Sequence, residues 1–243
     1  MGKLYVVGLG PGDYDNMTVR ADRAIKSCGS IVGYHVYVDL IKDRYPDKEY
    51  ITTGMTKETE RCRIALDEAL QGKTVAMVCS GDSGIYGMAG LIYELRGDAE
   101  APEIEVIPGL TAAVSGGALL GAPLTHDFAV ISLSDRLTPW ELIEKRLSKA
   151  AEADLSLVIY NPASHGRPDH LKKACEILLK VVPEDRLCGI ARNIGREGES
   201  IRLLSLKELK DAECDMFCTV FIGNASTKEI GGKMITPRGY KGI

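Results

Sequence analysis

Residues 4–13 read Leu4-Tyr5-Val6-Val7-Gly8-Leu9-Gly10-Pro11-Gly12-Asp13, a β-branched apolar run that breaks abruptly into glycine and proline. Such a run is the length of a buried strand, and the break is turn chemistry, so a strand followed by a tight loop is expected. The pattern recurs. Residues 74–79, 104–107, 128–133, 155–160, 187–191 and 217–223 are further strand candidates. Between them, residues 58–71, 85–96, 139–151 and 169–181 repeat apolar positions at three- and four-residue spacing, as amphipathic helices do. Pro139 suits the first turn of its helix with Thr138 as cap, and Asp169 follows Pro168 in the same way. Strand and helix in alternation make an α/β fold. Residues 119–127 combine Gly121 and Pro123 with a change from glycine-rich loops to more regular elements. The expectation is two αβα lobes, 1–121 and 122–243, with a ligand cleft between them.

Composition narrows the function classes. The chain has 243 residues, 45% hydrophobic and 26% charged, the balance of an ordinary globule. Thirty Lys and Arg against 34 Asp and Glu leave a net charge of -4, which excludes a general affinity for nucleic acid. No run of about 18 apolar residues and no secretory leader is visible, so no membrane partner and a cytoplasmic location are expected. Seven cysteines, an odd number without a CxxC pair, argue against a disulfide framework. Cys214 and Cys218 lack further ligands nearby, so no metal site is expected and buried free thiols are.

Three glycine-rich loops follow strand candidates in the first half. Gly8 to Asp13 has the look of a dinucleotide fingerprint, but the third glycine would fall where Asp13 stands, and the next helix starts late, near Thr18. Ser80-Gly81-Asp82-Ser83-Gly84-Ile85-Tyr86-Gly87 has glycines that admit a ligand close to the backbone and a carboxylate that accepts from an amine or hydroxyl. Pro108-Gly109-Leu110-Thr111-Ala112-Ala113 opens a helix of small residues. Loops at the carboxyl ends of strands are where open α/β sheets bind ligands.

In this order and at these separations the three loops resemble those of the tetrapyrrole methylase family. Gly33 to Asp39 (GYHVYVD), His126 to Asp135 (HDFAVISLSD), Tyr160-Asn161-Pro162, Arg192 to Glu197 (RNIGRE) and Thr236 to Tyr240 (TPRGY) sharpen the resemblance. Among the family they are most similar to the C-17 methyltransferases of cobalamin biosynthesis, which act on precorrin-3B or cobalt-factor III. Ser83 stands where the family's loop usually has proline.

The resemblance implies a homodimer of two α/β lobes that transfers a methyl group from S-adenosyl-L-methionine, leaving S-adenosyl-L-homocysteine, with contraction of the macrocycle. Cobalt enters only within the substrate. Position by position it implies cofactor contacts from Pro11, Ser80, Gly81, Asp82, Ile85, Tyr86, Thr111, Ala112, Asn161, Asn193, Ile194 and Thr219. It also admits transient contact with neighbouring pathway enzymes.

A sulfonium methyl is already electrophilic, so alignment and exclusion of water dominate and no nucleophilic side chain is needed. Contraction requires proton transfer. His126 is the first candidate, with Asp135 and Asp13 as alternatives to it, each equally suited to capping or turn formation. The substrate's many carboxylate arms call for cations, and Arg136, Arg192, Arg196 and Arg238 sit on loop-like segments, as does Arg167; Tyr34 is the aromatic candidate for the substrate. Three readings compete with this one: another tetrapyrrole C-methyltransferase, acting for example at C-11 or C-20, a nicotinamide-dependent reductase, and a tetrapyrrole carrier without catalysis.

Overall fold

A computed structural model describes residues 2–242. The chain divides into two compact units, Met1–Ala112 and Ala113–Ile243. The division falls one residue into the helix of small residues, not after it at 121/122.

The first unit contains β1 (Lys3–Gly8), α1 (Val19–Ser27), β2 (Ser30–Tyr34), α2 (His35–Val38), β3 (Glu49–Thr53), α3 (Glu58–Leu70), β4 (Thr74–Cys79), α4 (Ala89–Arg96) and β5 (Glu103–Ile107). Its five strands lie in the order β3-β2-β4-β1-β5, all parallel. The period-two alternation of strand side chains divides the core between the two faces. Leu4 and Val6 of β1, with Val75 and Met77 of β4, pack with Cys62, Ala65 and Ile92 of α3 and α4. Val7, Ala76 and Val78 face the other way, onto Ala21 and Ile25 of α1. Thr18 caps α1, its hydroxyl accepting from the Ala21 N–H at 3.1 Å, so the helix indeed starts well beyond the first glycine loop. Because every strand is parallel, all the strand-to-helix loops of this unit emerge at one edge.

The second unit begins with α5 (Ala112–Leu120) and continues through β6 (Gly121–Ala122), β7 (Phe128–Ser132), α6 (Trp140–Glu152), β8 (Ser156–Tyr160), α7 (His170–Leu178), β9 (Leu187–Arg192), β10 (Ser200–Ser205), α8 (Leu206–Leu209), β11 (Cys218–Ile222), β12 (Lys228–Ile230) and β13 (Lys233–Ile235). Its main sheet runs β10-β9-β11-β8-β7, with β7 and β8 parallel and β11 antiparallel to both its neighbours. One face buries Ile131, Leu157, Ile159, Val220 and Ile222 against α6, α7 and α8. On the other face Phe221 meets Gly116, where a Cβ would stand 3.1 Å from the ring, and Gly189 opposes Leu120 in the same manner. The small residues of α5 therefore serve close helix-on-sheet packing, and this contact draws the helix into the second unit. The Tyr160 hydroxyl accepts from the Ala113 N–H at 2.7 Å, satisfying one of the orphan donors at the start of α5.

Pro139 occupies the cap position of α6 and makes no side-chain capping bond, so Thr138 is not its cap. Asp169 likewise precedes α7 without a capping bond. Six of the seven cysteines are buried free thiols, and Cys214 is half-buried.

Candidate functional site

Two sheet edges carry the candidates, one in each unit. In the first unit the three glycine loops interlock. Gly10 N donates to Gly81 O at 3.0 Å and Gly81 N to Gly10 O at 2.7 Å, while Leu9 N donates to Cys79 O at 2.8 Å. A Cβ on Gly109 would lie 2.1 Å from Gly81 O and 2.7 Å from the Gly8 carbonyl carbon. One on Gly8 would lie 2.7 Å from Gly109 N and from Gly81 O. The backbones of β1, β4 and β5 thus touch where their loops begin. Gly8 and Gly109 are needed for this backbone contact, whereas a Cβ on Gly81 would meet nothing closer than 3.7 Å.

Asp82 completes the construction. Its Oδ1 accepts from Gly84 N at 2.8 Å and Ile85 N at 3.0 Å, and its Oδ2 from Gly109 N at 2.9 Å. The carboxylate holds two loops together, and three accepted bonds leave one of its acceptor positions unused. Ser83 is fully buried and its hydroxyl donates to Ile107 O at 3.1 Å. A hydrogen bond to β5 anchors this loop where the family's proline would stiffen it. Ser83→Ala is expected to cost about 1 kcal/mol, from the usual worth of one hydrogen bond. Differential scanning calorimetry should read a Tm lower by about 2–4 °C, and an unchanged Tm would show that the bond is unimportant.

What the framework presents outward is Ile85 and Tyr86, both exposed, with Tyr86 held at φ 54°. Thr111 is buried beside Gly81, whose Cβ would stand 3.7 Å from the Thr111 Cα. Pro11 is buried and Ala112 half-buried at the same edge. Asp13 turns back on its own loop, accepting from Asn16 N at 2.7 Å and from Asn16 Nδ2 at 2.8 Å. It is a turn-forming aspartate.

In the second unit the register aligns the end of β8, the end of β9 and the start of β11, since Cys218 pairs with Arg192 and Val220 with Ile159. Asn161, Asn193, Ile194 and Thr219 therefore share one edge. Asn161 and Asn193 both have left-handed backbone, at φ 53° and 50°. With Tyr86, three of the five non-glycine residues with positive φ among the described residues fall on expected ligand positions. Strain of this kind gathers at ligand sites.

A model of the tetrapyrrole (corrin/porphyrin) methylases matches residues 3–210, which takes in the first edge and, in the second, Asn161, Asn193 and Ile194. The chain belongs to this family. Several relatives are named as methyltransferases. It is 44% identical to the probable cobalt-factor III C(17)-methyltransferase of Salmonella typhimurium, over 98% of this chain and 99% of that one. It is 45% identical to the cobalt-factor III methyltransferase of Priestia megaterium, over 99% of this chain but only 45% of that protein. The solved structure of the methyltransferase CobJ superposes with a TM-score of 0.91 at 36% identity, covering 98% of this chain and all of that one.

In this tetrapyrrole methylase the proton-handling candidates separate. His126 is an exposed bend residue before β7, its Nδ1 accepting from Asp127 N at 3.1 Å. It stands at the amino end of β7, the end opposite Asn161 and Asp135. Asp135 lies just beyond the carboxyl end. Its Oδ2 is 3.1 Å from His170 Nε2, and its Oδ1 is 3.8 Å from Arg167 Nη1. The His170 imidazole, opposed by partial burial and aided by Arg167, holds the Asp135 carboxyl below its ordinary range. His170 is 8% exposed and packs edge-on to Trp140, with ring centroids 4.9 Å apart. Arg167 donates to Ser134 Oγ at 2.5 Å and to Ser164 Oγ at 3.2 Å. Sequence reading assigned His170 no role, because a histidine opening an amphipathic helix gives no sign of a partner on a distant loop.

The arginines divide as well. Arg192 pairs with Asp215, Arg196 lies over the Phe217 ring, and Arg136 is exposed on the loop after Asp135. Arg238 donates to Thr125 O at 3.0 Å, beside His126 and away from the others. Tyr34 ends β2, edge-on to Tyr37 at 5.2 Å.

Proposed function

We propose that the protein transfers a methyl group from S-adenosyl-L-methionine to C-17 of cobalt-factor III in cobalamin biosynthesis, with contraction of the macrocycle. The observation that carries this reading is the full-length similarity to the Salmonella relative of that name. The interlocked loops, the outward Ile85 and Tyr86 and the strained asparagines supply the kinds of group that suit the donor. Backbone donors and acceptors beside an apolar cover fit an adenosine and an amino-acid moiety together.

The bound donor supplies an electrophilic methyl on a sulfonium. Protein groups need only hold it in line with the ring carbon and keep water out. Moving a methyl cation to a neutral carbon leaves the positive charge on the macrocycle, so one proton must depart for neutrality. Asp135, ionised and with His170 beside it to share the proton, is our candidate acceptor; the carboxylate alone is a weak base, and His126 lies at the opposite end of β7. The same reading makes the protein a cytoplasmic homodimer.

A nicotinamide-dependent reductase is disfavoured by Asp13, which fills the third glycine position and is committed to Asn16. Anaerobic incubation with S-adenosyl-L-methionine and either cobalt-factor III or precorrin-3B, followed by mass spectrometry, tests the proposal. A gain of one methyl on the cobalt substrate is expected. Tight NAD binding without methyl transfer would overturn it, and ligand binding without transfer would leave a carrier. In the same single-turnover assay Asp135→Asn is expected to slow product formation by about 100-fold, in the range of general acid–base contributions, with S-adenosylhomocysteine affinity retained. Wild-type rates would remove Asp135 from the mechanism.

A further inference from the structure

Buried ionised groups are ordinarily paired, because removing a charge from water is costly unless an opposite charge replaces the solvent. Asp22 obeys this rule: it is 7% exposed, with Lys26 Nζ at 2.7 Å and the Tyr45 hydroxyl donating to it at 2.7 Å. Arg61 does not. It is 5% exposed on α3, and among the described residues its guanidinium has no carboxylate within 4.0 Å. Nε donates to Thr53 Oγ1 and Nη2 to Gly54 O, each at 2.8 Å, which fixes the plane of the fork. Both acceptors are neutral. The nearby thiols of Cys62 and Cys79 cannot balance the charge either, since burial pushes them up to about 12 and about 11.

The place is as informative as the missing anion. Thr53 ends β3 and is the register partner of Tyr34 at the end of β2, so Arg61 reaches the loop edge of the first sheet. The Tyr34 ring lies 5.7 Å from the guanidinium carbon. Thr56, two residues past Gly54, is held at φ 66°. A cation fixed at a ligand edge, with an aromatic face over it and no counter-ion, has the form of an anion subsite with one side already built.

We propose that Arg61, with Tyr34 above it, is a subsite for one carboxylate arm of the tetrapyrrole. This rests on the reading of the substrate as a polycarboxylate macrocycle. The arm supplies the missing negative charge, and the tyrosine ring covers the alkyl stem of the arm or the edge of the macrocycle.

The probe is uroporphyrin III, a stable tetrapyrrole with carboxylate arms, titrated by fluorescence at low salt. Arg61→Met is expected to weaken its binding at least tenfold, leaving S-adenosylhomocysteine affinity within twofold. A purely structural arginine would lower the Tm through the lost bonds to Thr53 and Gly54 while sparing the porphyrin. Should Arg61→Met fail to fold, Arg61→Lys keeps the charge and stem but loses the fork, and a threefold to tenfold weakening is expected. Wild-type porphyrin affinity in either folded variant overturns the proposal. Methyl transfer by the wild type separates the two readings. If the wild type methylates cobalt-factor III and the variants keep its KM, only the subsite fails; if the wild type does not methylate, the functional reading fails.

Discussion

Gly109→Ala should destabilise the protein by about 3 kcal/mol or more and abolish measurable binding of S-adenosylhomocysteine. The added Cβ would lie 2.1 Å from Gly81 O and 2.7 Å from Gly8 O, and both obstacles are backbone. No rotamer relieves such a clash, so β1, β4 and β5 must part where their loops begin, which exceeds ordinary overpacking. The Tm should fall by about 6–12 °C, using about 2–4 °C per kcal/mol for a chain of this size. Gly90→Ala is the matched control, since nothing lies within 4 Å of its Cβ and it sits in α4. There the same change should stabilise by about 0.5–1 kcal/mol through helix propensity. Equal thermal stability of the two variants would refute the interlocked arrangement.

For Asp82→Ala, calorimetry should show S-adenosylhomocysteine affinity falling by about 10- to 100-fold, or about 1.4–2.8 kcal/mol, while the protein stays folded. The loss is indirect. Three backbone N–H groups, of Gly84, Ile85 and Gly109, lose a charged acceptor, and the loop bearing Ile85 and Tyr86 is freed. Asp82→Asn should be nearly as harmful, because its amide turns a donor towards either the Gly109 N–H or the Gly84 and Ile85 pair. Direct recognition of a ligand amine predicts otherwise, namely that Asn keeps much of the affinity. Wild-type affinity in both variants would show that the carboxylate does not organise the site.

The long strands were legible because β-branched runs ending in glycine have few alternatives. Thr74–Cys79 emerged with the boundaries expected. β2 and β3 were missed because Gly33 interrupts one and Glu49-Tyr50-Ile51-Thr52-Thr53 is half polar, and their burial comes from neighbours. β6, β12 and β13 are two or three residues long, too short for periodicity to register. α4 starts at Ala89 instead of residue 85, since Ile85 and Tyr86 belong to the loop, and a left-handed Tyr86 cannot lie in a helix.

At the site, the glycine loops were visible from spacing alone, but not what their glycines are for. A close approach between backbones at 8, 81 and 109 is a tertiary fact. Arg61 and His170 were hidden for a related reason. Each occupies a helix whose pattern reads as amphipathic, and only the folded chain brings Thr53 to the one and Asp135 to the other.

The contact among residues 8, 81 and 109 also bears on how the chain acquires and loses its site. Its participants are separated by most of the first unit, so no short segment can form it early, and loop closure must be complete before any part of it exists. The loop at Gly81 is its hub, hydrogen-bonded to Gly10 and packed on Gly109, so releasing that loop removes a partner of both others. The amides of Gly10 and Gly81 should then exchange with solvent as slowly as the central strands, although they lie in loops. Ligand sites commonly belong to the least stable part of a protein; this edge should open only with its sheet.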